Sequence, residues 1–259
     1  MVALGLVGYP MHNTRTFPGA HAVGGLHVRI SGATFSNIFY PCARGGIRYP
    51  YWREPAVKQL AKMTGLPSWL LAHLTWSSAT REAAPVLHQD EKFPLVIFSH
   101  GTWGSCEMYT GLCRALASCG YVVVALEHED GSGCYAQDAS GSIIMHRDPV
   151  PATNAHHRPP MLAQRINEID RTLSALRAAD APETPLAAVM AACDSQRPVF
   201  VGHSFGGTTV ARAAQLGVAA KHEALCTIQL DTWLGGMKAE PGALESGVPL
   251  PSLSIDSEE

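Results

Sequence analysis

With 259 residues, 46% of them hydrophobic, the chain is long enough for one substantial core and short of the length at which cores divide. Nineteen Lys and Arg against 22 Asp and Glu give a net charge of -3 and no basic stripe for a phosphate backbone, so no nucleic-acid partner is expected. Seven cysteines without a C-x-x-C pair suggest neither a zinc ribbon nor a disulfide framework, and they read as buried or free thiols in a reducing, cytoplasmic compartment.

The opening MVALGLVGYPMHNTR has a short apolar run that lacks a basic start and meets Pro10, so no export leader is expected. No run reaches the roughly 18 apolar residues of a membrane-spanning helix. LHVRI and FSNIFY, joined by SGAT, predict an antiparallel hairpin. The apolar run from Phe93 to Gly101 suits a strand buried on both faces, with a helix following around Met108 to Ser118. GYVVVALEHED predicts a second buried strand, ending in charge at Glu127.

From Gly131 to Pro160 the composition turns to Gly, Ser, Asp, His and Pro, which describes an irregular excursion serving as a lid or rim. Leu162, Ile166, Ile169, Leu173 and Leu176 then recur at spacings of four and three, one face of a long helix. RPVFVG, ALCTIQLD and LPSLSID read as further strands. Strands alternating with helices predict an α/β protein with a mostly parallel central sheet flanked by helices, one domain over residues 1–259.

Gly202-His203-Ser204-Phe205-Gly206 fits G-x-S-x-G between a predicted strand and a predicted helix. A serine on so sharp a turn needs small neighbours, and the helix start offers free N–H groups to an oxyanion. A phosphate loop is excluded because Gly207 is followed by Thr208 where lysine is required. SHGTWGS, after the strand that starts at Phe93, supplies a second glycine-bearing loop, so the oxyanion donors would be the N–H groups of Thr102 and Phe205. Asp231, at the end of the strand after the serine's helix, stands where a carboxylate would orient a histidine.

FPLVIFSHG, GYVVVALEHEDGS, VGHSFGGTTV and IQLDTW, in this order, resemble the platelet-activating-factor acetylhydrolases of the plasma and intracellular type II group. The resemblance runs from about Phe39 to the end of the chain. It implies an α/β-hydrolase that removes short or oxidised sn-2 acyl chains from phospholipids without calcium or another cofactor. It further implies Ser204 as nucleophile, Asp231 as triad acid and Thr102 with Phe205 as oxyanion positions. The family docks on lipid surfaces through an apolar helix, and GLPSWLLAHLTW occupies the matching place. Trp69, Leu70, Leu71, Leu74 and Trp76 would then contact a lipid or membrane surface, the competing reading being a core helix.

One departure stands out: residues 232 to 259 hold no histidine, although in this fold the base follows the acid. His203, His100 and His128 fall on scaffold positions of the family motifs, and His156 and His157 in a proline-bracketed loop would have to swing over the site. The expectation is therefore a truncated sequence that lacks its last strand, closing helix and base. Two other readings remain, another esterase or lipase of the same fold and a catalytically silent lipid-binding protein.

Overall fold

The computed structural model describes residues 18–43, 48–74, 76–87, 91–147, 158–178, 184–238 and 241–257. The first hairpin forms as its alternation predicts: β1 (Ala22–Arg29) pairs antiparallel with β2 (Phe35–Cys42), from Ala22 opposite Cys42 to Arg29 opposite Phe35. Gly32, at φ 72°, takes the left-handed backbone of the turn between them. β3 (Arg48–Pro50) and β4 (Trp76–Arg81) extend this edge, and α1 (Glu54–Thr64) and α2 (Ser68–Leu74) lie between them. Pro55 pre-sets the first turn of α1, and Gly65 ends it in the left-handed region.

The parallel half comprises β5 (Phe93–Ser99), β6 (Val122–Leu126), β9 (Cys193–His203), β10 (Cys226–Leu230) and β11 (Ser252–Ile255). Among the described residues the sheet has nine strands in the order β11-β10-β9-β5-β6-β2-β1-β4-β3. A separate two-stranded sheet pairs β7 (Tyr135–Gln137) with β8 (Ile143–Met145). The remaining α-helices among the described residues are α3 (Thr110–Ser118), α4 (Arg158–Arg177), α5 (Pro185–Ala191), α6 (Phe205–Gln215) and the short α7 (Val218–Lys221).

The twofold period of the strands sorts their side chains onto two faces. Leu95, Ile97, Val122, Val124 and Phe200 pack with Leu162, Ile166, Ile169, Leu173 and Leu176 of α4 and with Val210 and Ala213 of α6. Val96, Phe98, Val123, Ala125 and Val201 pack instead with Cys113 and Ala117 of α3. Continuous apolar runs are what a strand covered on both faces requires, and that burial places β5, β6 and β9 at the centre.

Three expectations change. The excursion from Gly131 is partly ordered by β7 and β8, whose turn is held by Asp138 accepting the N–H groups of Ser140 and Ser142 at 2.8 and 2.9 Å. Three-residue strands are too short to show a period, so sequence reading missed them; His156 and His157 lie outside the described residues, as does the opening segment. The apolar helix expected over 65–76 is shorter, and Trp76 begins strand β4 instead. Leu71 points inward, 6% exposed, among Trp52, Val57, Leu60 and Tyr135, because a seven-residue helix packed on α1 must bury one side. Trp69 is 69% exposed, Leu70 is half-buried, and the side chains of Leu74 and Trp76 lie outside those described.

All seven cysteines are free thiols, five of them buried. No helix among the described residues is long and apolar enough to cross a membrane.

The packing of α4 can be tested directly. Leu173→Ala, at a fully buried position, is expected to cost about 2–5 kcal/mol, whereas Leu112→Ala, 37% exposed on α3, should stay within about 0.5 kcal/mol. Urea unfolding of both variants measures the contrast; equal losses would contradict the described packing of α4.

Candidate active site

Strand β9 stops at His203 and helix α6 starts at Phe205, so Ser204 alone makes the turn, at φ 52° and ψ -117°. That backbone is strained for any residue with a Cβ, and it persists because its surroundings leave no alternative. A Cβ added to Gly202 would lie 2.1 Å from the Gly206 carbonyl oxygen, and one added to Gly206 would lie 2.0 Å from that of Ser99. Both positions therefore exclude every side chain. The Ser204 N–H donates to the Leu230 carbonyl at 2.9 Å, and the Ser204 carbonyl accepts the Trp233 N–H at 3.2 Å. These bonds lock the turn against the end of β10.

Register brings the acid alongside. Leu230 pairs with His203, so Asp231 and Ser204 are the next residues of neighbouring strands. Asp231 also takes positive φ, 45°, and its exposed carboxylate accepts the Ser257 hydroxyl at 2.8 Å. Parallel strands that end together place their terminal residues at one sheet edge, which is how residues distant in sequence converge.

The loop after β5 closes over this turn. Gly101 sits so near that an added Cβ would lie 3.1 Å from Ser204 Cβ and 3.0 Å from His203 Nδ1. The Gly101 N–H donates to the Tyr109 hydroxyl at 3.1 Å, and that hydroxyl lies 2.7 Å from His203 Nδ1. Thr102 follows, partly exposed, and Trp103 turns the loop with φ 63° while its N–H donates to the Ser132 carbonyl at 2.8 Å. The Trp103 ring stacks on His146 at 3.9 Å between centroids. Thr102 and Phe205 thus flank Ser204 from two chain segments, one from the loop and one from the first turn of α6.

His100, His128 and His203 all make scaffold bonds. His100 donates from Nδ1 to the Gly101 carbonyl at 2.8 Å and accepts the His128 N–H on Nε2 at 3.3 Å. His128 bridges the Ser99 hydroxyl at 2.8 Å and Glu168 at 2.7 Å. Burial, reinforced by the nearby Arg165 charge, holds both imidazoles well below the ordinary histidine value. His203, half-buried and lowered by desolvation, has Nδ1 engaged by Tyr109.

Beneath the loop lies a buried polar layer that sequence reading passed over. Arg165, Glu168 and Thr172 of α4 are all fully buried, interleaved with the apolar stripe already noted. Charged residues recurring within such a stripe were the available sign. On the other side of β6, Arg53 donates from Nε to Glu107 at 2.8 Å and also pairs with Glu127, while the Tyr135 hydroxyl donates to Glu107 at 2.5 Å. Burial pushes Glu127 up to about 7, whereas the Arg53 charge keeps Glu107 low. Cys106, Glu107 and Glu127 lie close enough to hold a cation, but their charge partner here is the Arg53 guanidinium. A groove of about 410 Å³ runs along α1 between Lys58, Lys62 and Ile143 and shares no residue with the Ser204 turn.

A mostly parallel sheet, a serine on a strained strand-to-helix turn and a carboxylate on the next strand together define an α/β-hydrolase. The fold is similar to that of a ferulic acid esterase from Streptomyces cinnamoneus, with a TM-score of 0.62 over 93% of this chain and 75% of that one at 16% identity. The chain belongs to the family described as platelet-activating factor acetylhydrolase, isoform II, whose model matches residues 8–259. It is 29% identical over 249 residues to the platelet-activating factor acetylhydrolase of Cavia porcellus and 28% identical over 252 residues to that of Canis lupus familiaris. Each match covers 87% of this chain and 55% of the relative, so the chain spans about half the length of these curated relatives.

The buried layer has a pH signature. Burial raises Glu168 from its ordinary 4.5 to about 7, so the folded protein holds this proton more tightly than the unfolded chain does. Its contribution is complete below pH 4.5 and is lost as pH rises through 7. Glu168→Gln has no charge to bury and should gain on the wild type by up to about 3 kcal/mol between pH ~4.5 and ~8. Unfolding free energies across that range test it; a difference that does not change with pH would refute the buried proton.

Proposed function

We propose that this chain carries the ester-hydrolysing site of a phospholipid hydrolase that releases short or oxidised sn-2 acyl groups without calcium. The observation that carries the reading is Ser204 itself, held at φ 52° on a turn that no side chain at Gly202 or Gly206 would permit. Its hydroxyl attacks the ester carbonyl, the Thr102 and Phe205 N–H groups take the developing oxyanion, the alcohol leaves, and water releases the acid from the acyl-enzyme.

Asp231 is the triad acid in this reading. None of the chain's 12 histidines follows it, and His100, His128 and His203 serve scaffold bonds. We place the general base on a histidine outside these 259 residues, approaching the exposed Asp231 carboxylate in place of Ser257. Without a base, turnover falls on the order of 10⁶-fold, roughly 8 kcal/mol of barrier.

Docking on lipid is supported by Met63, Leu66 and Trp69, respectively 47, 38 and 69% exposed along the α1–α2 segment. Aromatic and aliphatic side chains of this kind sink into the headgroup boundary, which suits a cytoplasmic protein held peripherally at a membrane. The same exposed Met63, Leu66 and Trp69 also fit one second reading, a lipid-binding protein without turnover.

Fluorophosphonate labelling of the native protein separates the two. Adduct on Ser204, lost in Ser204→Ala and unaffected by a calcium chelator, is expected for the hydrolase; vesicle binding with an unlabelled serine would favour the second reading. Trp69→Ala should weaken binding to phosphatidylcholine vesicles roughly tenfold, about 1.4 kcal/mol. Unchanged partition in a flotation assay would remove Trp69 from the interface.

A further inference from the structure

Arg165 is fully buried on α4, and its guanidinium bonds both the loop after β5 and the loop after β6. One terminal nitrogen donates to the His100 carbonyl at 2.6 Å. Nε donates to Asp130 at 2.8 Å, and the other terminal nitrogen donates to the Ser132 hydroxyl at 2.5 Å. Its central carbon stands 4.5 Å from the centre of the Phe205 ring. One planar cation therefore touches the loop that carries Thr102 and the residue that begins α6.

The peptide units around Thr102 are bracketed by this layer. On the N-terminal side the His100 carbonyl is held by Arg165, and the Gly101 carbonyl by His100 Nδ1. On the C-terminal side the Trp103 N–H is held by the carbonyl of Ser132, whose own hydroxyl binds both Arg165 and Asp130. Ser132 is in turn fixed because Asp130 accepts its N–H at 3.0 Å. With residue 100 and residue 103 both pinned, the plane of the Thr102 amide between them has little freedom. An oxyanion donor works only when it already points at the position the charge will occupy, because turning it during the reaction would add to the barrier.

We propose that Arg165 is a positioning residue for the oxyanion hole: through the His100 carbonyl and the Asp130–Ser132 pair it aims the Thr102 N–H, and through the Phe205 ring it seats the second donor. The proposal rests on Ser204 acting as the nucleophile. A guanidinium suits the task because its planar fork reaches three acceptors at fixed angles while its face covers an aromatic ring. Lysine would keep the charge and lose that geometry.

Two readouts on the native protein, Arg165→Lys and Arg165→Gln test it. The first is the rate of fluorophosphonate labelling of Ser204 across a concentration series; the second is amide hydrogen exchange in the segment 101–104. The maximal labelling rate is expected to fall about ten- to a hundredfold, less than the 10²–10³ of losing a donor outright, with the half-saturating concentration within about threefold. Exchange at 101–104 should quicken while β5 and β9 stay protected. Unchanged labelling and exchange would overturn the proposal, and so would faster exchange throughout the sheet, which marks a general structural role. Should removing one charge prevent folding, Arg165→Met with Asp130→Asn removes both charges and is read against the same criteria. If Ser204 of the wild type takes no label, the hydrolase reading falls, and the exchange data alone decide whether Arg165 holds this loop.

Discussion

Everything at the candidate site depends on how closely three backbones approach one another. The Ser99 carbonyl ends β5, Gly202 ends the core of β9, and Gly206 begins α6; a single methyl group at either glycine would fall about 2 Å from a carbonyl oxygen. This approach bends the chain through Ser204, brings the loop after β5 against it, and sets α6 between β9, β10 and α4. The left-handed backbone at Ser204 costs on the order of 1–3 kcal/mol, and packing on both sides offsets it. A surface turn would relax; this one cannot, because the glycines are buried beneath the helix.

Charge is buried on both sides of β6, and the two clusters hold different parts of the molecule. Arg53 ties the α1–α2 segment to Glu107 and Glu127, so the segment with the exposed Trp69 is anchored to the end of the central strand. Arg165 with Asp130 ties α4 to the loop beside Ser204. Buried ion pairs add little net stability, since desolvation consumes most of the attraction, and their value lies in excluding other arrangements. Burial alone would raise Asp130, but the Arg165 guanidinium beside it holds its carboxyl well below the usual carboxylate range. Glu127 and Glu168, by contrast, rise to about 7 because their surroundings do not repay the loss of water.

Much of this was legible before any coordinates. The β-branched and apolar runs at Phe93, Val122 and Val199, the stripe from Leu162 to Leu176 and the glycines around Ser204 are local patterns with one structural solution each. Asp231 could be named because the order of strand, helix and strand leaves it at the same sheet edge as the serine. The hairpin of β7 and β8 was not legible, since three-residue strands carry no period. Leu71 misled because apolar composition does not say which side of a short helix meets the core.

What the sequence determined by itself is therefore the class of fold, the strand-turn-helix around Ser204 and the pairing of that turn with Asp231, since each depends on neighbours a few residues away or on element order. Only the tertiary structure decided that Arg165, Asp130, Ser132 and His100 form one network, that His128 faces Glu168, and that Tyr109 reaches His203. Apart from the neighbouring Asp130 and Ser132, these partners lie 33 to 94 residues apart in the chain, and no local pattern specifies a hydrogen bond across such a span. Their geometry follows from packing two helices onto one twisted sheet, where buried polar groups must find the partners that the fold places within reach.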